Sequence, residues 1–107
     1  MTLIETISNY IPEINLESFE PELDADLCGD IDYLGWVGEK AFGIQINSVT
    51  AKANFGNYSP TERMKNSFND FTAKYGGKVF IVFSVDDDIK NVEVIEEIRT
   101  EIKRLSD

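Results

Sequence analysis

Residues 78–85, KVFIVFSV, form an almost unbroken apolar run, and this run constrains the fold more than any other stretch. A strand with one face in water alternates apolar and polar residues, whereas a strand covered on both faces is apolar throughout. No apolar run in the chain reaches the roughly 18 residues that suggest a membrane span. Residues 78–85 therefore predict a sheet with helices packed on both faces, which is an α/β arrangement.

The segment before this strand has the clearest helix pattern in the chain. Ser59, Pro60 and Glu62 are typical of an N-cap, a first helical position and a capping box. One apolar stripe follows at helical spacing: Met64, Phe68, Phe71 and Tyr75. Gly76-Gly77 then supplies a C-terminal stop, so the pattern predicts a helix leading directly into the central strand.

Two strand-like runs, 31–38 and 41–49, precede that helix and are separated only by Glu39-Lys40. A two-residue connection of this kind predicts an antiparallel hairpin. The second run reaches strand 78–85 through the helix, so these two strands should be parallel, with a right-handed crossover. The predicted sheet is therefore mixed.

Apolar residues at helical spacing predict two further helices, over 3–11 and over 92–105. The acidic stretch 15–26, broken by Pro21, predicts a short helix or turn followed by a loop. Residues 1–107 are expected to form a single domain around one modest core. The element order is then α-β-β-α-β-α.

The residue types present exclude several kinds of chemistry. The chain has no His and a single Cys, Cys28, so it lacks the residues for an internal disulfide, a typical zinc site, or a Ser-His or Cys-His nucleophile. Any chemistry must use carboxylates, amides, lysines or a hard metal ion bound through oxygen. The N-terminus has no signal-type segment, which predicts an intracellular, cytoplasmic protein.

The formal net charge of -10 is unevenly distributed. Residues 1–39 carry ten acids and no Lys or Arg, whereas residues 40–78 carry six bases against two acids. One interpretation is an ordinary acidic protein. The sharper one is a basic strip beside an acidic, metal-attracting cluster.

The stretch FGIQIN at 42–47 places two amides, Gln45 and Asn47, on the strand face opposite its apolar residues. A turn at Glu39-Lys40 predicts a hairpin register that pairs Val37 with Phe42, Leu34 with Gln45, and Asp32 with Asn47. Asp32, both amides and Asp30 would then converge. Such an oxygen-rich cluster suits Mg²⁺. The alternative is that the amides simply face solvent.

The PD-(D/E)XK nuclease superfamily has an acid on one hairpin strand, then an acid or Gln, any residue and Lys on the next, followed by a helix and a strand, and this chain resembles that pattern. Asp32 stands in the place of the acid, and Gln45-Ile46-Asn47 stands where the motif reads Glu-x-Lys or Gln-x-Lys. More narrowly, DYLGWVGEKAFGIQIN, TAKANFGNYSPTERMKNSF and GGKVFIVFSV are similar to the MjaI family of type II restriction endonucleases. This resemblance covers about residues 30–105.

The resemblance implies a restriction-endonuclease-like core, here a minimal or partial one, that hydrolyses double-stranded DNA at a short palindrome. It implies Mg²⁺ or Mn²⁺ as cofactor and a homodimer that matches the palindrome. Asp32 would bind the metal with Gln45 as ligand or orienter, and Glu5 or Glu13 would complete the site. The candidate DNA contacts that the resemblance implies are Lys52, Asn54, Asn57, Arg63 and Lys65. Asn54 and Asn57 have an alternative role as turn residues.

The departure from the motif is Asn47, which stands where the superfamily has a catalytic Lys. An amide cannot replace an ammonium in stabilising developing negative charge. Three explanations stay open: Lys52 reaches in, the metal does most of the activation, or the chain is a weakened relative. The alternative function is a non-catalytic acidic interaction module, or a DNA-mimic-like inhibitor that binds a basic partner through residues 13–32.

Overall fold

The computed structural model describes residues 3–25, 27, 29–48, 61–86 and 88–107. The elements in chain order are α1 (Leu3–Tyr10), β1 (Leu16–Ser18), β2 (Tyr33–Val37), β3 (Lys40–Ser48), α2 (Glu62–Tyr75), β4 (Gly76–Val85), β5 (Asp88–Ile89) and α3 (Val94–Ser106). The predicted α/β class is confirmed at this level. The prediction for residues 15–26 is wrong at β1, because a three-residue edge strand is too short to show a period. No helix within these ranges is long and apolar enough to cross a membrane.

The five strands form one mixed sheet in the order β1-β2-β3-β4-β5. β1 with β2, β2 with β3, and β4 with β5 are antiparallel pairs. β3 and β4 are parallel and are connected through α2, as the sequence predicts for two strands joined by a helix. β3 and β4 therefore lie side by side in the middle of the sheet.

The predicted register of the β2–β3 hairpin is wrong by two residues. Val37 pairs with Lys40 and Leu34 pairs with Gly43, so the turn residues are Gly38 and Glu39. Gly38 has a φ of +64°. A positive φ at the first central residue is what a two-residue hairpin turn requires, and glycine adopts it without a steric penalty. The glycine therefore takes the turn position that the sequence prediction gave to Glu39.

Buried apolar side chains cover both faces of β3. Phe42 and Ile44 point towards α1 and α3, where they pack with Ile7 and Ile98. Ala41 faces the other way, into a second cluster beneath α2. The members of that second cluster are Phe19, Leu27, Ile31, Leu34, Ala41 and Phe71. The prediction of a sheet covered on both faces is confirmed.

Helix α2 begins two residues later than the sequence predicts. Thr61 is its N-cap, with Oγ1 accepting a hydrogen bond from the Met64 N–H at 3.2 Å, so the N-cap predicted at Ser59 is wrong. Ser59 itself and Pro60 lie outside the described residues. The predicted stop is confirmed, because Gly76 is left-handed at φ 92° and its N–H bonds the Thr72 carbonyl. β4 begins at Gly76 as well, so no loop residues separate the helix from the strand.

Candidate functional site

Gln45 and Asn47 lie on the face of β3 that α2 covers. Gly43, two residues earlier on the same face, is so close to α2 that a Cβ there would stand 3.2 Å from the ring of Phe71. In the parallel register with β4, Gln45 is the partner of Ile81. Because side chains alternate along a strand, Gln45 follows Gly43 beneath α2 and is half-buried there.

Asp32, the residue before β2, contacts the backbone of β3 at the two residues that flank Gln45. Its backbone N–H donates to the Ile44 carbonyl at 2.9 Å. Its carboxylate Oδ2 accepts from the Ile46 N–H at 2.7 Å. The predicted pairing of Asp32 with Asn47 is therefore wrong, because the turn at Gly38 moves the register by two residues. Asp32 contacts the two chain neighbours of Gln45 instead.

The side-chain oxygen Oε1 of Gln45 is buried and has no hydrogen-bond partner among the described residues. More than about 90 % of buried polar groups in proteins are hydrogen-bonded, and leaving one unpaired costs about 1–3 kcal/mol. Gln45 stands between the two residues whose backbone Asp32 contacts, and an amide oxygen and a carboxylate oxygen are both hard ligands of the kind that divalent cations prefer.

This donor set fits weak binding of a divalent ion rather than a dedicated metal cage. No group of three or more His, Cys, Asp or Glu residues that could hold a metal exists in the part of the chain that the structure describes. Mg²⁺ is commonly held by one or two carboxylates together with water and substrate phosphates. Asp32 with the amide oxygen of Gln45 meets that lower requirement.

Asp30, which the sequence places in the same cluster, has other partners. Its carboxylate is 3 % exposed. Oδ2 accepts from the Ser67 Oγ at 2.7 Å and from the Arg63 Nη1 at 3.0 Å, while Arg63 Nη2 lies 3.0 Å from Oδ1. Asp30 is therefore an anchor for α2 and is not available as a metal ligand.

The carboxylates predicted to complete the site are placed less favourably. Glu5 lies on α1, whose Leu3 and Ile7 pack in the cluster that contains Phe42. That cluster is on the opposite face of β3 from Gln45. Glu13 is exposed, and its neighbour Ile14 packs against the same cluster. The structure does not bring either carboxylate to the Gln45 face.

The predicted DNA contacts have different outcomes. Lys52, Asn54 and Asn57 lie outside the described residues. Lys65 is exposed on the first turns of α2, with its Nζ 4.0 Å from a carboxylate oxygen of Glu62. Arg63 is ion-paired with Asp30, and that pairing was missed in the sequence. The sequence shows that Arg63 and Ser67 are four residues apart and so share one face of α2, but it gives no signal for Asp30, which is 33 residues away.

A second buried carboxylate, on α3, was also missed. Glu101 is 3 % exposed and accepts hydrogen bonds from the Arg104 guanidinium and, at 2.7 Å, from the Lys78 N–H. The side-chain hydrogen bond from Arg104 lowers the pKa of Glu101, although burial opposes the shift. A cavity of about 400 Å³ lies beside it, lined by Lys78, Phe80, Glu97, Thr100, Glu101 and Arg104. This carboxylate ties α3 to the start of β4.

The chain matches no protein-family model, no curated protein and no solved structure.

Proposed function

We propose that this chain is a metal-dependent endonuclease of the type II restriction class, acting on double-stranded DNA. Asp32 and Gln45 bind Mg²⁺ or Mn²⁺ in this proposal. The observation that carries it is the buried Oε1 of Gln45, which has no partner among the described residues, in a residue that stands between the two β3 residues that Asp32 contacts. A cation is the ligand that would satisfy both oxygens at once.

The order of the elements supports the proposal. A restriction-endonuclease-like core is expected to carry its acid on one strand of a hairpin and its second motif on the next strand, followed by a helix and a further strand. Asp32 directly precedes β2, and Gln45 and Asn47 are on β3, which connects through α2 to the parallel β4. This order of elements supports the proposal that Asp32 and Gln45 belong to one site.

Asp32, Asn47 and Lys52 would have different roles at this site. Oδ2 of Asp32 is held by the Ile46 N–H, which orients the carboxylate and leaves Oδ1 for a cation. When bound, Mg²⁺ or Mn²⁺ would supply Lewis-acid activation of water and of the scissile phosphate. Asn47 offers an amide and no positive charge, so the wild-type chain stabilises the transition state poorly. Lys52 is the internal candidate to compensate.

A homodimer is part of the proposal, because a palindromic site presents the same half-site twice and a two-fold dimer matches it. Each copy would carry one Asp32–Gln45 site and cut one strand. The acidic inhibitor alternative has less support. Three acids of residues 13–32 already have partners within the chain: Glu17 with the Trp36 indole N–H, Asp24 with Lys74, and Asp30 with Arg63.

Cleavage of supercoiled plasmid in Mg²⁺ and in Mn²⁺ tests the function. We expect little cleavage by the wild type and an increase of about 10²–10⁴-fold in Asn47→Lys, the size of effect that one well-placed catalytic group has. Adding Asp32→Asn to Asn47→Lys should abolish the gain. No cleavage by Asn47→Lys in either metal would overturn the proposal.

The proposed roles of Asn47 and Lys52 can be tested separately. Should the wild type cut, Lys52→Ala is expected to remove most of the activity, and Lys40→Ala, which removes the same charge from the turn end of β3, should leave it. Efficient wild-type cleavage that survives Lys52→Ala would show that neither lysine is needed and that our interpretation of Asn47 is wrong.

A further inference from the structure

Resting on the proposed function, we infer that Asp30 and Ser67 are positioning residues. They hold the Arg63 guanidinium beside the Gln45 site, where it binds a phosphate of the DNA backbone.

The exposure of the two partners points to this role. Asp30 is 3 % exposed, whereas the side chain of Arg63 is 74 % exposed. A buried carboxylate needs a compensating charge, but here the compensating group stays almost entirely in solvent. Arg63 has five N–H donors and uses at most two of them on Asp30. At least three donors of the guanidinium are therefore not used by Asp30.

The location of Arg63 follows from the way α2 crosses the sheet. α2 runs from the C-terminal end of β3 back to its N-terminal end, because Gly76 after the helix pairs with Ala41. Phe71 of α2 lies over Gly43. Arg63 precedes Phe71 by eight residues, which is about 12 Å along the axis of α2. The same distance along β3, counted from Gly43, is three to four residues. Arg63 is therefore level with the Gln45–Asn47 end of β3.

A fixed cation matters more in this chain than in a basic DNA-binding protein. The formal net charge of -10 repels DNA at long range, so attraction must come from groups held at the contact. Both oxygens of Asp30 contact the Arg63 guanidinium, and the Ser67 hydroxyl donates to the Asp30 carboxylate and so helps to hold it in place. An arginine that is already ordered loses less side-chain freedom when it binds a phosphate. Lys65 is two residues further along α2, and the ion-pair partner that the described residues offer it is the exposed Glu62.

The first experiment measures binding of a labelled 20-base-pair duplex by fluorescence anisotropy over a salt series, in EDTA so that no cleavage occurs. Arg63→Gln is compared with Lys65→Gln, which removes the same charge from the same end of α2. We expect Arg63→Gln to weaken binding about tenfold at low salt and to reduce the log–log salt slope by about 0.9, the value for one lost phosphate contact. Lys65→Gln should change the slope by less. Equal effects in the two variants would overturn the role of Arg63.

The second experiment tests Asp30 and Ser67 in the same assay. Asp30→Asn makes the chain less acidic, so long-range electrostatics predicts tighter binding to DNA. The inference predicts the opposite, a several-fold weakening, because the guanidinium loses its anchor. Ser67→Ala removes a single hydroxyl and should weaken binding in the same direction, with circular dichroism confirming that both variants are folded. Binding as tight as wild type in folded Asp30→Asn and Ser67→Ala would overturn the positioning role.

These outcomes are separable from those of the nuclease test. Arg63-dependent binding without cleavage by Asn47→Lys would reject the nuclease and retain the phosphate contact. Cleavage by Asn47→Lys with unchanged duplex binding by Arg63→Gln would retain the nuclease and reject this inference. No duplex binding by the wild-type chain at low salt would reject the inference outright.

Discussion

The carboxylate of Asp32 accepts a hydrogen bond from the backbone N–H of Ile46 at 2.7 Å, while the Asp32 N–H donates to the Ile44 carbonyl. A single residue thereby contacts the backbone of β3 on both sides of Gln45. The side chain extends the hydrogen bonding of the hairpin beyond the last backbone pair, Tyr33 with Ile44. Oδ2 thus serves the fold, and in the proposed function Oδ1 is the oxygen that binds the cation.

Asp32 should therefore have separable effects on stability and on metal binding. Asp32→Asn keeps an oxygen acceptor for the Ile46 N–H, so its free energy of unfolding should stay within about 0.5 kcal/mol of wild type. Asp32→Ala should lose about 1 kcal/mol, the usual net value of one hydrogen bond. Urea unfolding measures both. Titration calorimetry with Mn²⁺ should give a wild-type heat that neither variant shows. Equal stabilities of the Asn and Ala variants would contradict the hydrogen-bond role.

The unpartnered amide oxygen of Gln45 should lower the free energy of unfolding. Gln45→Met has a similar shape without the unpartnered oxygen, and we expect it to raise the free energy of unfolding by about 1 kcal/mol. It should also abolish Mn²⁺ binding. Asn47→Met is the matched control on the same face, and it should give no such gain. A destabilised Gln45→Met would mean that the amide is satisfied in solution.

Glu101 should make stability depend on pH. Its pKa is lowered in the folded chain, chiefly by the hydrogen bond from Arg104. The carboxylate therefore stabilises the fold above its ordinary pKa of about 4.5, and this contribution is lost as the pH falls through the lower folded value. Glu101→Gln should be about 1–2 kcal/mol less stable than wild type at pH 7, and this deficit should be smaller at pH 3, by urea unfolding. Glu97→Gln, exposed on the same helix, is the control. A Glu101→Gln deficit of the same size at both pH values would refute the linkage.

Gly77 should be intolerant of any side chain. Between two β3–β4 pairs, Ala41 with Gly76 and Gly43 with Val79, β3 advances two residues and β4 advances three. A Cβ on Gly77, which lies in this irregular stretch, would stand 2.3 Å from the Ala41 carbonyl oxygen. Gly77→Ala should cost at least about 2 kcal/mol. Gly29→Ala, whose Cβ would meet nothing within 4 Å, should change stability by less than about 0.5 kcal/mol. Thermal melts of the two variants compare them directly, and similar melting temperatures would be the contrary result.

Much of the fold was predictable because the local periodicity of the sequence determines it. The apolar run at 78–85 predicted β4 covered on both faces, and the stripe that includes Phe71 predicted the helix over it. Gly76 marked the end of that helix through its preference for positive φ. Each of these signals depends on residues within a few positions of each other, so one sequence is enough to carry them.

The site depended on contacts that no local pattern contains. Alternation along β3 determined that Gln45 and Asn47 share a face, but alternation does not determine register, since any even shift preserves the faces. The turn at Gly38 made that even shift and moved Asp32 away from Asn47. The pairing of Asp30 with Arg63 spans 33 residues, and that of Glu101 with the Lys78 N–H spans 23. Only the packing of α2 and α3 against the sheet decided that these carboxylates are anchors, because burial leaves a charged group no solvent and forces it onto whichever donor the tertiary structure brings within reach.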